Sequence, residues 1–583
     1  MNERSTRLQS VAVAAAAMLA FATSATNPFI PWDDDLYVSA NPRVQKGGLP
    51  AFEALWSSDD VWSSRFIEFF PLRDTVYWVT WQIFGDQPAA FHVVNILLHA
   101  LVAVLVLQLG RRLKVPPAGA FWGAMLFAVH PIHVESVTWV AALKDPMFTG
   151  FMVGSVLCFL RYRESAKPLH YGASVALMVA ALLCKSIALS TPLLFLVIER
   201  WLDPKVPWRT SLQRVSGPAL IALLFFIQFT LIGKINRVIT PPHGGSWGQH
   251  YFLMSWALVR YLQQVVVPAT FRIHYCFEPL TSAFDWRLLA IVVVMISVVV
   301  GVVLAWRRSR LAGVLLLWFF LCLLPVANLV PFPAIMADRY LYAPSVGACL
   351  LLGWGLSLLG ERRRWILVVI TLVLAGVTLA RGVIWKDDAN LWAEAVEDDA
   401  CMQDSLVSAV IMYLNHAKSA RDPEVAMVAW KKGFAHPRFQ DLLTRNRAIY
   451  LCKAQATALS LGLREQALEW SDEAVRLAPK DYTVWISRVA VMNDPKSALE
   501  AAERAFKLEK NGDSYWMLGV TRLINDQPEG VNDLLQGVHL APRRYCPEFL
   551  KMLDGQLASY RDQLKQLESQ CRAGLAQDAA KRH

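Results

Sequence analysis

The feature that most limits how this chain can fold is a series of apolar runs that fills it up to about residue 385. The runs fall near 11–25, 90–109, 118–130, 146–162, 170–184, 186–200, 217–233, 286–306, 311–330, 340–359 and 365–384. In hydrocarbon every backbone N–H and C=O must find its partner inside the chain, so such segments cross as helices, at about 20 residues per crossing. The composition agrees, since 55% of the 583 residues are hydrophobic and 22 are Trp, too apolar for a soluble protein of this size. These runs predict an all-α, polytopic membrane body over 1–385 with about eleven transmembrane helices. The remainder, 386–583, is charged and helix-forming, and reads as a separate soluble domain.

Charge placement orients the body. The formal net charge of +10 is concentrated at the ends of apolar runs, in Arg111-Arg112-Leu113-Lys114, Arg161-Tyr162-Arg163, Arg307-Arg308-Ser309-Arg310 and Arg362-Arg363-Arg364. This is the positive-inside pattern, and it accounts for the basic character without a nucleic-acid partner. Arg4 and Arg7 precede the first run, which is Ala-rich and ends in small residues; a cleaved signal peptide fits it, but an uncleaved signal anchor is expected in a chain with so many later spans. The stretch 251–268 is interrupted by Arg260, Gln263 and Gln264 and closed by Pro268; if it spanned, the two later Arg clusters would land outside. It is therefore expected at the interface or as a re-entrant helix, leaving the N-terminus cytoplasmic and the C-terminal domain outside. Nine cysteines show no C-x-x-C spacing, and the pairing of Cys401, Cys452, Cys546 and Cys571 in the soluble part is left open.

In that orientation the polar motifs converge on one face. The first outer loop, 27–89, holds Asp33-Asp34-Asp35 and the aromatics Trp56, Trp62, Phe66, Phe69, Phe70, Tyr77, Trp78 and Trp81, a density that suits interfacial helices. Three carboxylates beside a bilayer must face water, a cation or a cationic group; taken alone they also suit a solvated Pro/Asp turn. His130-Pro131-Ile132-His133-Val134-Glu135 closes the third run, and Lys144-Asp145-Pro146 opens the fourth. His133 and Glu135, with Asp145 near them, suit a divalent cation or a supporting role around a phosphate, against simple solvation of a helix end. Lys144 suits a phosphate, as does Arg339 in Asp338-Arg339-Tyr340-Leu341-Tyr342, whose forked guanidinium stays charged; the bland alternatives are snorkelling for Lys144 and an Arg339 pair with Asp338 or another carboxylate. Lys185 interrupts an apolar run where an unpaired charge is expensive, so it is placed near the same outer face.

Taken together, Trp32-Asp33-Asp34 with Asn41-Pro42, Phe70-Pro71-Leu72, Phe91-His92 with Asn95, the His130–Glu135 stretch, Lys144-Asp145, and Asp338-Arg339-Tyr340-Leu341-Tyr342 with Pro344-Ser345 resemble the transmembrane-and-TPR O-mannosyltransferases and their bacterial relatives. These belong to the GT-C superfamily of lipid-phosphate-sugar-dependent glycosyltransferases, and the resemblance covers most of 27–400. It implies a GT-C-type fold, a catalytic acidic residue at Asp33 or Asp34, and a polyprenyl-phosphate-linked sugar entering from the outer leaflet. Arg339, Lys144 and Lys185 would then hold the donor phosphate, and transfer would invert the anomeric carbon if displacement is direct. The chain departs from the family at Asp35, where relatives often carry Arg, and at Ser186, where many have Glu; both departures bear on which sugar is carried.

Residues 447–480, with Ala454, Leu461-Gly462, Ala467-Leu468, Ala474 and Leu477-Ala478-Pro479, read as a TPR-like unit, and weaker units close at Lys507-Leu508-Glu509 and His539-Leu540-Ala541-Pro542. A TPR-like α-solenoid offers a concave face to an acceptor protein, for instance a secreted or pilin-like one, or it simply caps the membrane body. The expected function is transfer of a sugar to a Ser or Thr hydroxyl at the periplasmic face of a bacterial inner membrane. Transfer to a lipid-linked glycan and a non-catalytic TPR scaffold are the alternatives. The topology is checked by reporter fusions and cysteine accessibility: a fusion near residue 400 should report from outside, and a cytoplasmic signal there would overturn the orientation.

Overall fold

The computed structural model describes residues 3–30, 32–57, 68–235, 240–275, 277–282, 284–360, 364–396, 407–553 and 561–580. Trp62, Phe66, Arg362, Arg363 and Cys401, which figure in the sequence reading, lie outside these. The chain divides into two compact units, Met1–Ser408 and Ala409–His583. Among the described residues there is no β-strand, so the all-α expectation holds.

The first unit begins with α1 (Glu3–Ala20), which packs on α3 (Pro88–Arg112) and α4 (Pro117–Val129), while α2 (Pro71–Phe84) forms the last part of the first loop and packs on α3. Proline opens α2, α3 and α4 alike, at a position where its missing N–H has no intrahelical partner to lose. His130-Pro131 ends α4, and a 3₁₀ turn, one helical turn and a second 3₁₀ turn lead into α5 (Lys144–Ser165). Then follow α6 (Pro168–Leu182), α7 (Thr191–Leu202), α8 (Trp208–Ile235), α9 (Trp247–Val266), α10 (Trp286–Arg308), α11 (Arg310–Leu323), α12 (Pro344–Ser357), α13 (Arg364–Ile384) and α14 (Asp388–Val396).

Among the described residues, five helices are long and apolar enough to cross a membrane: α3, α8, α10, α13, and α5 together with the turn before it, Val140–Ser165. The chain is accordingly an integral membrane protein. Four other runs form apolar helices of only 10–17 residues, namely α4, α6, α12 and Arg310–Val326. Their shortness has a local cause. Pro131 and Pro325 stop the helix, and Lys185 coincides with a break where α6 gives way to the 3₁₀ turn Ser186–Ser190. The helix α9 is not among the five, in keeping with the polar residues that interrupt it.

Backbone proximity of α4 and α12 sets the centre of this unit. At Gly353 an added Cβ would lie 2.2 Å from the Gly123 amide nitrogen, and at Gly123 it would lie 2.7 Å from the Leu350 Cα. Small residues four apart on α4, Gly119 and Gly123, let two helices meet closely in the apolar phase, where van der Waals packing replaces the hydrophobic driving force.

The second unit is a succession of helix pairs. Residues 447–480 fall on α15 (Thr444–Ser460) and α16 (Arg464–Leu477), which pack together; α17 (Tyr482–Val489) pairs with α18 (Pro495–Leu508), and α19 (Gly512–Ile524) with α20 (Gly530–Leu540). Asp481, Asp494 and Asn511 cap the helices that follow them by accepting from backbone amides. The last two helices, α21 (Pro542–Leu553) and α22 (Arg561–Ala580), are joined by a disulfide between Cys546 and Cys571, and Cys452 is free.

The close α4–α12 contact predicts that Gly353→Ala lowers the melting temperature of the protein in nanodiscs, at a cost of about 1–3 kcal/mol from overpacking. Gly355→Ala, two residues along and with open space around it, is the control and should melt like the parent. Equal melting of the two variants would contradict the packing.

Candidate active site

Two adjacent aspartates are used differently. Asp34 is fully buried, and both carboxylate oxygens accept backbone amides: Oδ2 from Ile30 at 2.9 Å and Oδ1 from Ala141 at 2.8 Å. It therefore bolts the first outer loop to the connection between α4 and α5. Trp32 reinforces the junction by stacking on Trp139 with centroids 4.4 Å apart, and the Ser24 and Thr138 hydroxyls share a hydrogen bond of 2.8 Å. Burial pushes the Asp34 carboxyl up to about 8, against the lowering effect of the two amides. Asp33 is half-buried and, among the described residues, accepts no hydrogen bond. Burial raises it to about 6, with Lys144 and Arg339 pulling it down and Glu68 and Asp35 pushing it up. A carboxylate poised near neutrality with free lone pairs is what proton abstraction needs.

Lys144 and Arg339 act on it and Lys185 lies in the field of those two, each of the three with a carboxylate partner. Lys144, at the start of α5, donates to Glu68 at 2.9 and 3.1 Å. Lys185 pairs with Asp145, and Arg339 with Glu135; the Arg339 amide also donates to Glu135, at 2.8 Å. Arg339 lies 5.7 Å from the Trp139 ring and 5.1 Å from Tyr340. Of the two alternatives for an Arg339 ion pair, the partner is Glu135 and not the adjacent Asp338, which instead accepts from the Tyr275 hydroxyl at 2.8 Å. Burial holds Asp338 well above the usual carboxylate range.

His133 and Glu135 do not offer a shared cation a free donor set. Both His133 nitrogens are engaged, Nδ1 with the Phe127 carbonyl and Nε2 with the Ser345 hydroxyl, each at 2.9 Å, while Glu135 holds Arg339. Among the described residues no group of three or more His, Cys, Asp or Glu is placed to hold a metal. The histidines serve the scaffold: His99 bonds the Tyr342 hydroxyl at 2.7 Å and the Ala128 carbonyl at 3.0 Å, and His130 the Val265 carbonyl at 3.1 Å. Asn95 donates to the Trp139 carbonyl at 3.0 Å and Tyr77 to that of Val140 at 2.9 Å, so these two side chains fix the connection that leads into Lys144.

Glu68 was not singled out from the sequence; Arg73, in the polar stretch Phe70-Pro71-Leu72-Arg73-Asp74 on the same side as the other motifs, donates to it at 2.8 Å and lies over the Tyr37 ring at 4.0 Å. The Tyr37 hydroxyl donates to Glu68 at 3.1 Å. Burial raises the Glu68 carboxyl, but the charges and hydrogen bonds of Lys144 and Arg73 outweigh it and hold the group at about 2. The available signal was a lone carboxylate in an aromatic interfacial stretch, which costs free energy unless it is paired.

Residues 66–279 match the sequence model of the dolichyl-phosphate-mannose-protein mannosyltransferase family. The chain is 25% identical to the human protein O-mannosyl-transferase TMTC4 over 463 residues, covering 66% of this chain and 61% of that one. It is 23% identical to the Caenorhabditis elegans protein O-mannosyl-transferase F38B6.6, over 62% of this chain and 54% of the relative. Against Drosophila melanogaster Tmtc2 it is 31% identical over 44% of this chain and 28% of the relative. The chain thus spans less than two thirds of the length of each. The resemblance read from the ordered motifs is borne out by these matches.

Proposed function

We propose that this membrane protein, similar to protein O-mannosyltransferases over most of its first unit, is a glycosyltransferase. In this reading it carries a sugar from a polyprenyl phosphate to a Ser or Thr hydroxyl of an acceptor protein. One observation supports the reading above the others: of two adjacent aspartates, one is consumed by backbone amides and the other is left poised in the field of two cations, Lys144 and Arg339. Asp33 takes the proton of the acceptor hydroxyl as that oxygen bonds to the anomeric carbon. The bond from that carbon to the donor phosphate breaks, and its electron pair goes to the phosphate oxygen. Lys144 and Arg339 stabilise the charge that builds there, and Lys185 adds to the same field from its buried pair with Asp145. Direct displacement inverts the anomeric carbon. Asp34 keeps its place in the loop and does no proton transfer.

The acceptor side rests on less. The helix pairs of the second unit, read as TPR-like, would present or recruit a secreted, pilin-like protein on the periplasmic side of a bacterial inner membrane. A disulfide within that unit fits an oxidising compartment.

Purified protein in nanodiscs, supplied with a polyprenyl-phosphate sugar and a Ser/Thr peptide, tests the proposal by mass spectrometry of the peptide. Asp33→Asn should lower turnover by about two to four orders of magnitude, the usual contribution of a general base. Because the base works deprotonated, the parent rate should fall about tenfold per pH unit below about 6 and level off above it. Unchanged turnover in a well-folded Asp33→Asn protein would sink the assignment. Arg339→Ala should raise the donor KM more than the peptide KM; an unchanged donor KM would remove Arg339 from the site.

A further inference from the structure

The carboxylates that neutralise the three candidate phosphate-binding cations differ in access. The Asp145 side chain is fully buried and that of Glu135 is 4% exposed, whereas Glu68 is 28% exposed. Glu68 is also bonded from three directions: Lys144 Nζ at 2.9 Å, Arg73 at 2.8 Å and the Tyr37 hydroxyl at 3.1 Å. A lysine, an arginine fork and a phenolic O–H converging on one anion is a donor set suited to a phosphate. Arg73 does not depend on Glu68 for its position. Its Nε and second terminal nitrogen both bond Asp74 at 2.8 Å, so loss of Glu68 frees one nitrogen and leaves the guanidinium anchored. The same lysine sits in the field of Asp33.

We propose that Glu68 occupies the seat of the donor phosphate in the unliganded protein and is displaced by it, an inference that rests on reading the chain as a polyprenyl-phosphate-sugar transferase. The exchange balances in charge. A sugar phosphodiester carries one negative charge, as does the Glu68 carboxylate, so the buried face of Lys144 and Arg73 stays neutralised throughout. After transfer the departing lipid phosphate is a monoester with more negative charge than the carboxylate, and it leaves by the reverse exchange. Glu68 is thus a positioning residue: it keeps the cations assembled when no donor is bound, and it sets how tightly a phosphate must bind to enter.

The test uses the full chain in nanodiscs with a sugar-free polyprenyl phosphate as the probe, its binding followed by tryptophan fluorescence. Glu68→Gln keeps size and one acceptor oxygen but removes the competing charge. It should bind the probe on the order of tenfold more tightly than the parent, because the competitor for charge-assisted bonds is weaker. It should also melt at lower temperature without the probe and gain more from adding it. A purely structural Glu68 gives the opposite, equal or weaker binding, and that result in a folded protein overturns the displacement while leaving the donor class intact. No binding by the parent overturns both. If Glu68→Gln does not fold, Tyr37→Phe carries the test: loss of one donor from the seat should weaken probe binding several-fold, and unchanged affinity overturns the proposal.

Discussion

The site depends on the pair of hydrogen bonds from the Ile30 and Ala141 amides to Asp34. They join segments more than a hundred residues apart, and hydrogen bonds of this kind contribute about 0.5–1.5 kcal/mol each. With the loop held there, Asp33 is brought to the start of α5, where Lys144 emerges, and Trp32 is laid on Trp139. The neighbouring carboxyl, left without such bonds among the described residues, is the one to which proton transfer is assigned in the proposed function, while its sibling carries the structural task. Burial, which raises both, leaves the bolted one protonated near neutrality and the poised one able to lose its proton there.

Around this junction charge is concentrated but nearly everywhere paired. Taking several ions partly out of water is expensive unless each finds a partner, and the pairs Lys144–Glu68, Lys185–Asp145 and Arg339–Glu135 meet that requirement. In the proposed displacement an anionic ligand exchanges with a partner already in place. That view turns the pairs from static anchors into a graded set: two deep, one accessible.

Much of the architecture is legible in the sequence because it follows from one constraint, the need to satisfy the backbone in hydrocarbon. The apolar runs mark the helices, and Pro131 and Lys185 fall where they break. What escapes local reading is pairing at long range. Asp33 and Asp34 are alike in sequence, and what separates them is the position of the Ala141 amide. Asp338 and Arg339 are neighbours whose side chains go to different partners, Tyr275 and Glu135. Glu68 stands in a stretch of Phe and Ile that draws attention as apolar, and only the fold brings Lys144 and Arg73 to it. The run 340–359 is longer than the helix it forms, α12, because the polar motif at its start takes the 3₁₀ turn Asp338–Leu341 before Pro344 opens the helix.

The central claim, that one aspartate is bolted and its neighbour poised, is most directly tested by infrared titration of the carboxyl bands of the protein in nanodiscs, with Asp33→Asn and Asp34→Asn as the assigning variants. The account predicts a carboxyl band lost in Asp33→Asn that titrates near pH 6, and a separate band lost in Asp34→Asn that persists to about 8. An Asp33 band that titrates near 4, as an ordinary exposed aspartate would, contradicts it.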